Sequence, residues 1–471
     1  MSSSGSQQGT RDKYDDAGDA LVSVAEWTDV GNAARLAKAQ AGKLLRVSDM
    51  KKWHHWDGTR WAIDYDNREV REAAKIEAIK LPEGSRTADK FKTRSLSSAG
   101  IAAAISSAES MPDIRCKAED LDAYPELLNT PSGIVNLRTG LIMPHDPKFK
   151  LTRITRYGVR LGVKLQDMPK FFDFLYETFD GDFEMIEFIQ RLCGLMLIGK
   201  VTEHILPFFF GSGANGKGCL TLICQGILGD ADAGGYACSA PTGFLMAGRD
   251  NAHPTELARL RGARLVVCSE QSGRRAFDES KVKLYTGGDK LAGRFMRGDF
   301  FEFEPSHLLL VLSNYLPEVK EGGESFWRRT RRIDFEHEVP EDKRVDELDQ
   351  KILEADGEAI HGWMIQGAID VLNNGLRCPD NVMASTKEYR ESEDALTAFV
   401  EQKVIPGLHV IKSVLRSRYS QFCKDMGAEP MNATNLTVKL KQEHGIQDGS
   451  KKINGKTHRV YLGIDLEDDE P

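Results

Sequence analysis

At 471 residues the chain exceeds what one hydrophobic core usually holds, so several domains are expected. Apolar residues at 41% and charged residues at 28% exclude a wholly disordered or membrane-embedded chain, and with no apolar run near the roughly 20 residues of a bilayer crossing the expected compartment is the cytoplasm. The net charge of −8 excludes a surface that is basic throughout, so any nucleic-acid contact must be local.

Residues 1–26, rich in Ser, Gly, Gln and Asp, read as a flexible lead. An N-terminal accessory region follows over 27–150. Trp53, Trp56 and Trp61 lie around the turn signal Asp57-Gly58, which predicts a hairpin. Alanine-rich helical periodicity runs through 82–125, and a strand, a turn at Arg138-Thr139-Gly140 and another strand come next. The region 151–200 spaces Phe171, Phe174, Leu175, Phe179, Ile186, Ile189, Leu192 and Leu195 as two helices interrupted near Asp180-Gly181.

Between 201 and 340 apolar strands alternate with a glycine-rich loop and charged helices, the order of a three-layer α/β core. A helical extension (341–393) and a helix-plus-basic-hairpin unit (394–466) of winged-helix character follow, and 467–471 is an acidic tail. The eight cysteines are dispersed without a CxxC pair, which predicts free thiols.

The chemistry concentrates in ILPFFFGSGANGKG. An apolar strand runs into Gly211, Ser212, Gly213, Ala214, Asn215, Gly216 and Lys217, and Gly218 and Cys219 open the next helix. Strand, loop and helix in that order let backbone N–H groups curl around phosphate oxygens while the lysine reaches the outer phosphates. Position 218 would ordinarily be Ser or Thr, whose hydroxyl holds Mg²⁺. Glycine there leaves water or a neighbouring acid to complete the metal's shell, with Thr221 expected to point elsewhere.

ARLVVCSEQS predicts a buried strand ending at Glu270, a carboxylate placed to polarise water or hold Mg²⁺; a solvated strand-end glutamate would read alike. HLLLVLSNYLP predicts a neighbouring strand ending at Asn314, whose amide could orient the attacking water or simply form a turn before Pro317. FWRRTRRIDF carries four arginines; Arg328 or Arg329 suits an arginine finger acting on a neighbouring subunit, and a plain basic surface is the alternative.

Between the Glu270 and Asn314 strands, KLYTGGDKLAGRFMRGDFFEFEPSH reads as a hairpin with cations Lys290, Arg294 and Arg297. It is suited to gripping DNA phosphates, or else its cations pair with Asp289, Asp299, Glu302 and Glu304. The lysine-rich stretch from Leu436 to Tyr461 suits duplex DNA or a protein contact equally.

Taken in order, GSGANGKG, RLVVCSEQS, TGGDKLAGRFMRGDFFEFEP, LLLVLSNYLP and SFWRRTRRIDF resemble the motifs of the phage, plasmid and poxvirus primase-helicase family. TPSGIVNLRTGLIMPHDP, FFDFLYETFDGDFEMIEFIQRLCGLMLIGK and GNAARL extend the resemblance over roughly residues 27–466. It implies a superfamily 3 helicase with an AAA+-like P-loop core, ATP and Mg²⁺ as cofactors, hexameric assembly and 3′-to-5′ movement on single-stranded or forked DNA. A primase or other replication proteins are implied as partners, in the host cytoplasm for a phage-encoded member.

Carried over by position, Lys217 holds phosphate, Glu270 is the Walker B acid, Lys290 and Arg294 fall in the superfamily's additional motif, Asn314 is the sensor, and Arg328 and Arg329 fall in the finger segment. No primase catalytic signature stands in the N-terminal region, so the chain reads as a helicase-only member or as part of a longer primase-helicase. An ATP-switched origin-binding or loading protein without unwinding activity is the second reading.

Overall fold

The computed structural model describes residues 27–248, 254–270, 276–294, 300–317, 319, 323–393, 395–426, 430, 433–442, 444–453 and 455–467. Helix α1 (Asp29–Gln40) starts where the Thr28 hydroxyl accepts from the Gly31 N–H, which satisfies one donor of the first turn. Strands β1 (Leu44–Val47), β2 (Lys52–Trp56) and β3 (Trp61–Ile63) follow, then helices α2 (Arg68–Ile79), α3 (Arg86–Ser95) and α4 (Ser98–Ala108) and the short strand β4 (Arg115–Cys116). The predicted tryptophan hairpin is β2–β3, with Trp56 opposite Trp61. The helical periodicity expected through 82–125 stops earlier, at Ala108. Pro112 opens a single 3-10 turn there, and the chain then adds β4 to the sheet β3-β2-β1-β4.

Strands β5 (Leu127–Thr130), β6 (Gly133–Asn136) and β7 (Ile142–Met143) form an antiparallel sheet. Helices α5 (Pro169–Thr178) and α6 (Phe183–Leu195) are separated at Asp180 and Gly181, both at positive φ, and Asp182 caps α6 by accepting from the Met185 N–H. The predicted interruption therefore has a backbone cause. The N-terminal unit is tied onto the rest of the chain by Arg60, which donates to the Gly234 carbonyl at 2.7 Å, and by Arg261, which donates to the Ala118 carbonyl at 2.8 Å.

The central sheet is built from β8 (Leu206–Phe210), β9 (Ala237–Ser239), β10 (Leu265–Glu270), β13 (Leu308–Ser313) and β14 (Thr330–Asp334). Helix α7 (Lys217–Leu228) follows β8, α8 (Pro254–Ala258) precedes β10, and α9 (Glu279–Tyr285) with the hairpin β11 (Leu291–Arg294) and β12 (Phe300–Phe303) lies between β10 and β13. The strand order is β14-β8-β13-β10-β9, every pairing parallel. A parallel sheet is covered on both faces, which is why these strands read as near-continuous apolar runs.

Phe209, Val267, Leu310 and Ile333 face one core with α5, α6, α7 and the long helix α11 (Leu348–Asn374). Phe208, Val266, Cys268 and Val311 face another with Phe277, Tyr285, Phe326 and Tyr389, the last on α12 (Asp380–Glu393). Helices α5 and α6 before the sheet and α11 after it thus share the first of these cores with it. Helix α10 (Glu324–Trp327) leads into β14.

The C-terminal unit runs α13 (Ala395–Lys403), β15 (Val404–Ile411), α14 (Lys412–Asp425), α15 (Ala433–Gln442), β16 (Asp448–Ile453) and β17 (Lys456–Leu466), with antiparallel order β15-β17-β16. Leu396, Phe399, Leu415, Tyr419, Leu436, Leu440 and Tyr461 form its own core. Among the described residues no helix is long and apolar enough to cross a membrane.

Candidate nucleotide site

The loop between β8 and α7 holds the predicted phosphate-binding residues together at the carboxyl edge of the sheet. Gly216 sits at φ 85° and caps α7 without any side-chain cap, so the first-turn N–H groups meet no capping side chain. A Cβ at Gly211 would fall 2.0 Å from Asn215 Nδ2 and 2.5 Å from the Phe335 carbonyl, so only glycine admits the loop's close return. Asn215 fastens that return: its buried amide donates to the Phe335 carbonyl at 2.9 Å, and the Val339 N–H donates to the Ala214 carbonyl at 2.9 Å. The loop is stapled to the exit of β14, a neighbour in space that lies more than a hundred residues away in sequence.

Lys217 is 8% exposed; its ammonium donates to the Gly211 carbonyl at 2.9 Å and to Asn215 Oδ1 at 3.3 Å. Burial lowers its pKa. A cation folded over the loop's mouth and solvated by the loop's own oxygens is placed to exchange them for phosphate oxygens. Thr221 is buried, and its Oγ1 donates to the Lys217 carbonyl at 2.8 Å inside the helix. Burial pushes the Cys219 thiol up to about 12, so it stays protonated and is a poor cation ligand. A Cβ at Gly218 would meet open space. The loop thus tolerates a hydroxyl residue at 218 sterically and does not carry one.

Strand register aligns the remaining candidates. Phe210 of β8 pairs with Ser313 of β13, which pairs in turn with Glu270 of β10. Glu270 therefore closes a row two strand spacings, about 10 Å, from the start of the loop. Its side chain lies outside the described residues. Asn314, exposed, follows Ser313 between the loop and Glu270, and the Tyr315 N–H donates to Ser313 Oγ at 3.1 Å to turn the chain there. Among the described residues no group of three or more His, Cys, Asp or Glu side chains is arranged to hold a metal.

Arg328 and Arg329 lie at the opposite end of the sheet, whereas Arg332 pairs with Phe208 near the loop. Thr330 pairs with Leu206, the first residue of β8, so Arg328 stands some seven residues below Gly211, or about 20 Å along the strands. No arginine side chain spans that gap within one chain. Arg328 is exposed, whereas Arg329 is 6% exposed, donates to the Ser325 carbonyl at 2.6 Å and has its pKa lowered by burial and by Arg328. Arg331 donates to the Arg328 carbonyl and Arg332 to Asp334, and the Arg332 guanidinium lies over the Phe210 ring. Of the two arginines left open by the sequence, the structure leaves Arg328 accessible and commits Arg329 to its own chain.

The β11–β12 hairpin carries Lys290 exposed at its base and Arg294 at the end of β11; Arg297 lies outside the described residues. The β16–β17 pair exposes Lys451, Lys452, Lys456 and Arg459.

The family model "D5 N terminal like" matches residues 33–180. The chain is 27% identical over 240 residues to "Putative helicase 121R" of Invertebrate iridescent virus 3, covering 49% of this chain and 25% of that protein. It is 25% identical over 304 residues to "Putative helicase L207/L206" of Acanthamoeba polyphaga mimivirus, covering 60% of this chain and 31% of that protein. The chain thus spans about a quarter to a third of the length of these relatives. In fold it is similar to the C-terminal region of NrS-1, with a TM-score of 0.52 at 12% identity over 91% of this chain and 98% of that one.

These findings define a mixed α/β protein with a parallel sheet and viral homologues named as helicases. Over residues 33–180 the chain is similar to the D5 N-terminal-like domain, and its viral relatives carry the name putative helicase.

Proposed function

We propose that this chain is an ATP-dependent DNA helicase of superfamily 3 type with an AAA+-like core, working as a ring, with six copies the expected number. The observation that carries the reading is the separation of parts along neighbouring strands. The Gly211–Lys217 loop ends β8, Asn314 and Glu270 end the next two strands, and exposed Arg328 stands at the far end of β14. A site with its phosphate loop at one end of the sheet and its free arginine at the other is completed by a second copy.

In this reading the loop N–H groups and Lys217 hold the triphosphate, Asn314 orients the attacking water, and Glu270 accepts its proton. Arg328 of an adjacent copy stabilises the charge that develops on the transferred phosphoryl group. Mg²⁺, when bound, would neutralise charge between the outer phosphates, with Glu270 as its protein anchor. The hairpin lies in sequence between the Glu270 and Asn314 strands, so its seating is sensitive to both, and Lys290, Arg294 and Arg297 grip the backbone of single-stranded DNA.

The strand order of the C-terminal unit and its exposed lysines support a winged-helix role on duplex DNA. That feature favours the second reading, an ATP-switched origin-binding or loading protein. Cytoplasmic action beside a primase or other replication proteins belongs to the same proposal. Unwinding of forked DNA with ATP and Mg²⁺ decides between the readings. The helicase reading expects strand separation, ATP hydrolysis stimulated by single strands, and loss of both in Lys217→Ala. Nucleotide-dependent assembly without strand separation would select the loader instead.

A further inference from the structure

The β11–β12 register sorts the hairpin into two faces. Leu291, Gly293, Phe301 and Phe303 share one, where Leu291 and Phe303 are buried, the Arg261 guanidinium lies 5.5 Å from the Phe301 ring and a Cβ on Gly293 would come within 3.0 Å of the Ala258 backbone. That face seats the hairpin on α8. Ala292, Arg294, Phe300 and Glu302 share the other, which faces solvent. Phe300 is 63% exposed there, directly opposite Arg294 in register, and the Arg294 guanidinium lies 4.8 Å from its ring centroid. The guanidinium occupies one side of the ring and leaves the other open. Of the described acids of this segment, Asp289 and Glu304 sit at the hairpin's base, and Glu302 is the next residue toward that base on the face that Arg294 and Phe300 share.

An exposed phenylalanine contributes nothing to the core and costs solvation, while a ring with a cation held against it fits a nucleobase next to its phosphate. We propose that Phe300 is a base-stacking residue for single-stranded DNA, its free ring face taking one base while Arg294 takes the adjoining phosphate. This rests on the helicase reading and adds a contact to the base that the cations alone do not supply. Stacking is sequence-tolerant, because every base offers a π-face, as a moving motor requires.

The test uses the full chain and two labelled probes, an oligothymidylate of about twenty nucleotides and an abasic strand of equal length, long enough for several binding sites. Phe300→Ala is expected to weaken oligothymidylate binding about fivefold to a hundredfold and to leave the abasic strand unaffected. Phe300→Trp should bind oligothymidylate at least as well as the parent. Arg294→Ala should weaken both probes and lower the slope of log affinity against log salt by about one. Equal losses on both probes in Phe300→Ala, or no loss on either, overturn the stacking role. So does a changed assembly state by sedimentation with DNA binding intact, which would mean that the ring covers a second copy. A parent chain that binds neither probe sinks the helicase reading together with this one; a parent that binds DNA and hydrolyses ATP beside an indifferent Phe300→Ala sinks the stacking role alone.

Discussion

The two ends of the central sheet treat their cations in opposite ways. At the carboxyl end Lys217 is buried and its ammonium is solvated by the carbonyl and amide oxygens of its own loop, so the chain supplies both the charge and a provisional partner for it. At the amino end two consecutive arginines diverge. Arg329 is drawn under α10 onto the Ser325 carbonyl, and Arg328 is left in solvent. The contrast teaches that a run of like charges in a sequence is not one functional unit: backbone geometry decides which member is a structural tie and which can reach another molecule.

The sharpest way to break this comparison is to exchange the roles of the two ends. Arg328→Ala is expected to slow ATP hydrolysis about a thousandfold, the usual effect of losing a finger supplied from a neighbour, with little change in melting temperature. Mixing it with Lys217→Ala should restore part of the activity, since each chain then carries the end that the other lacks. Mixed samples no more active than the separate variants would show that Arg328 does not act across copies.

Next in size is the metal. Because a Cβ at Gly218 meets open space, Gly218→Ser is expected to fold normally. With the ordinary hydroxyl in place, the Mg²⁺ concentration for half-maximal hydrolysis should fall by about tenfold, roughly what one added hydrogen-bonding ligand to a charged group supplies. A Mg²⁺ titration superimposable on the parent's would show that the first turn of α7 does not face the metal.

Arg329→Ala should behave unlike its neighbour. Removing a buried donor to the Ser325 carbonyl is expected to cost about 1–3 kcal/mol in unfolding free energy, read by denaturant melting. If stability were intact and hydrolysis lost, the assignment of the two arginines would have to be reversed.

A further effect is on pH. Burial holds the His54, His307 and His361 imidazoles down at about 4 against an ordinary 6.5, so the folded chain keeps them neutral where the unfolded chain protonates them. Stability should be full above about pH 6.5 and decline as pH falls toward 4. His307→Gln and His361→Gln, melted across that window, should each flatten the decline.

Much of the candidate site was legible because its chemistry is local. ILPFFFGSGANGKG places strand, loop and helix within one short stretch, and positive φ at Gly216 and the buried Lys217 are realised there as the spacing implies. The apolar runs RLVVC and LLLVL announced strands buried on both faces, since only a parallel sheet between two helical layers leaves no polar side. Helical periodicity was less decisive over 82–125, where Pro112 and the open sheet edge at β1 ended the helices before the alanine pattern faded.

The amino-acid sequence by itself determined the glycine-rich loop between strand and helix, the missing hydroxyl at Gly218 and the order of strands along the chain, because each depends on contacts a few residues apart. Only the tertiary structure decided the order of strands across the sheet, the staple from Asn215 to the Phe335 carbonyl, the sorting of Arg328 from Arg329 and the pairing of Arg294 with Phe300. These depend on which distant segment covers which face and on the cross-strand register, and a linear pattern of residue types carries neither.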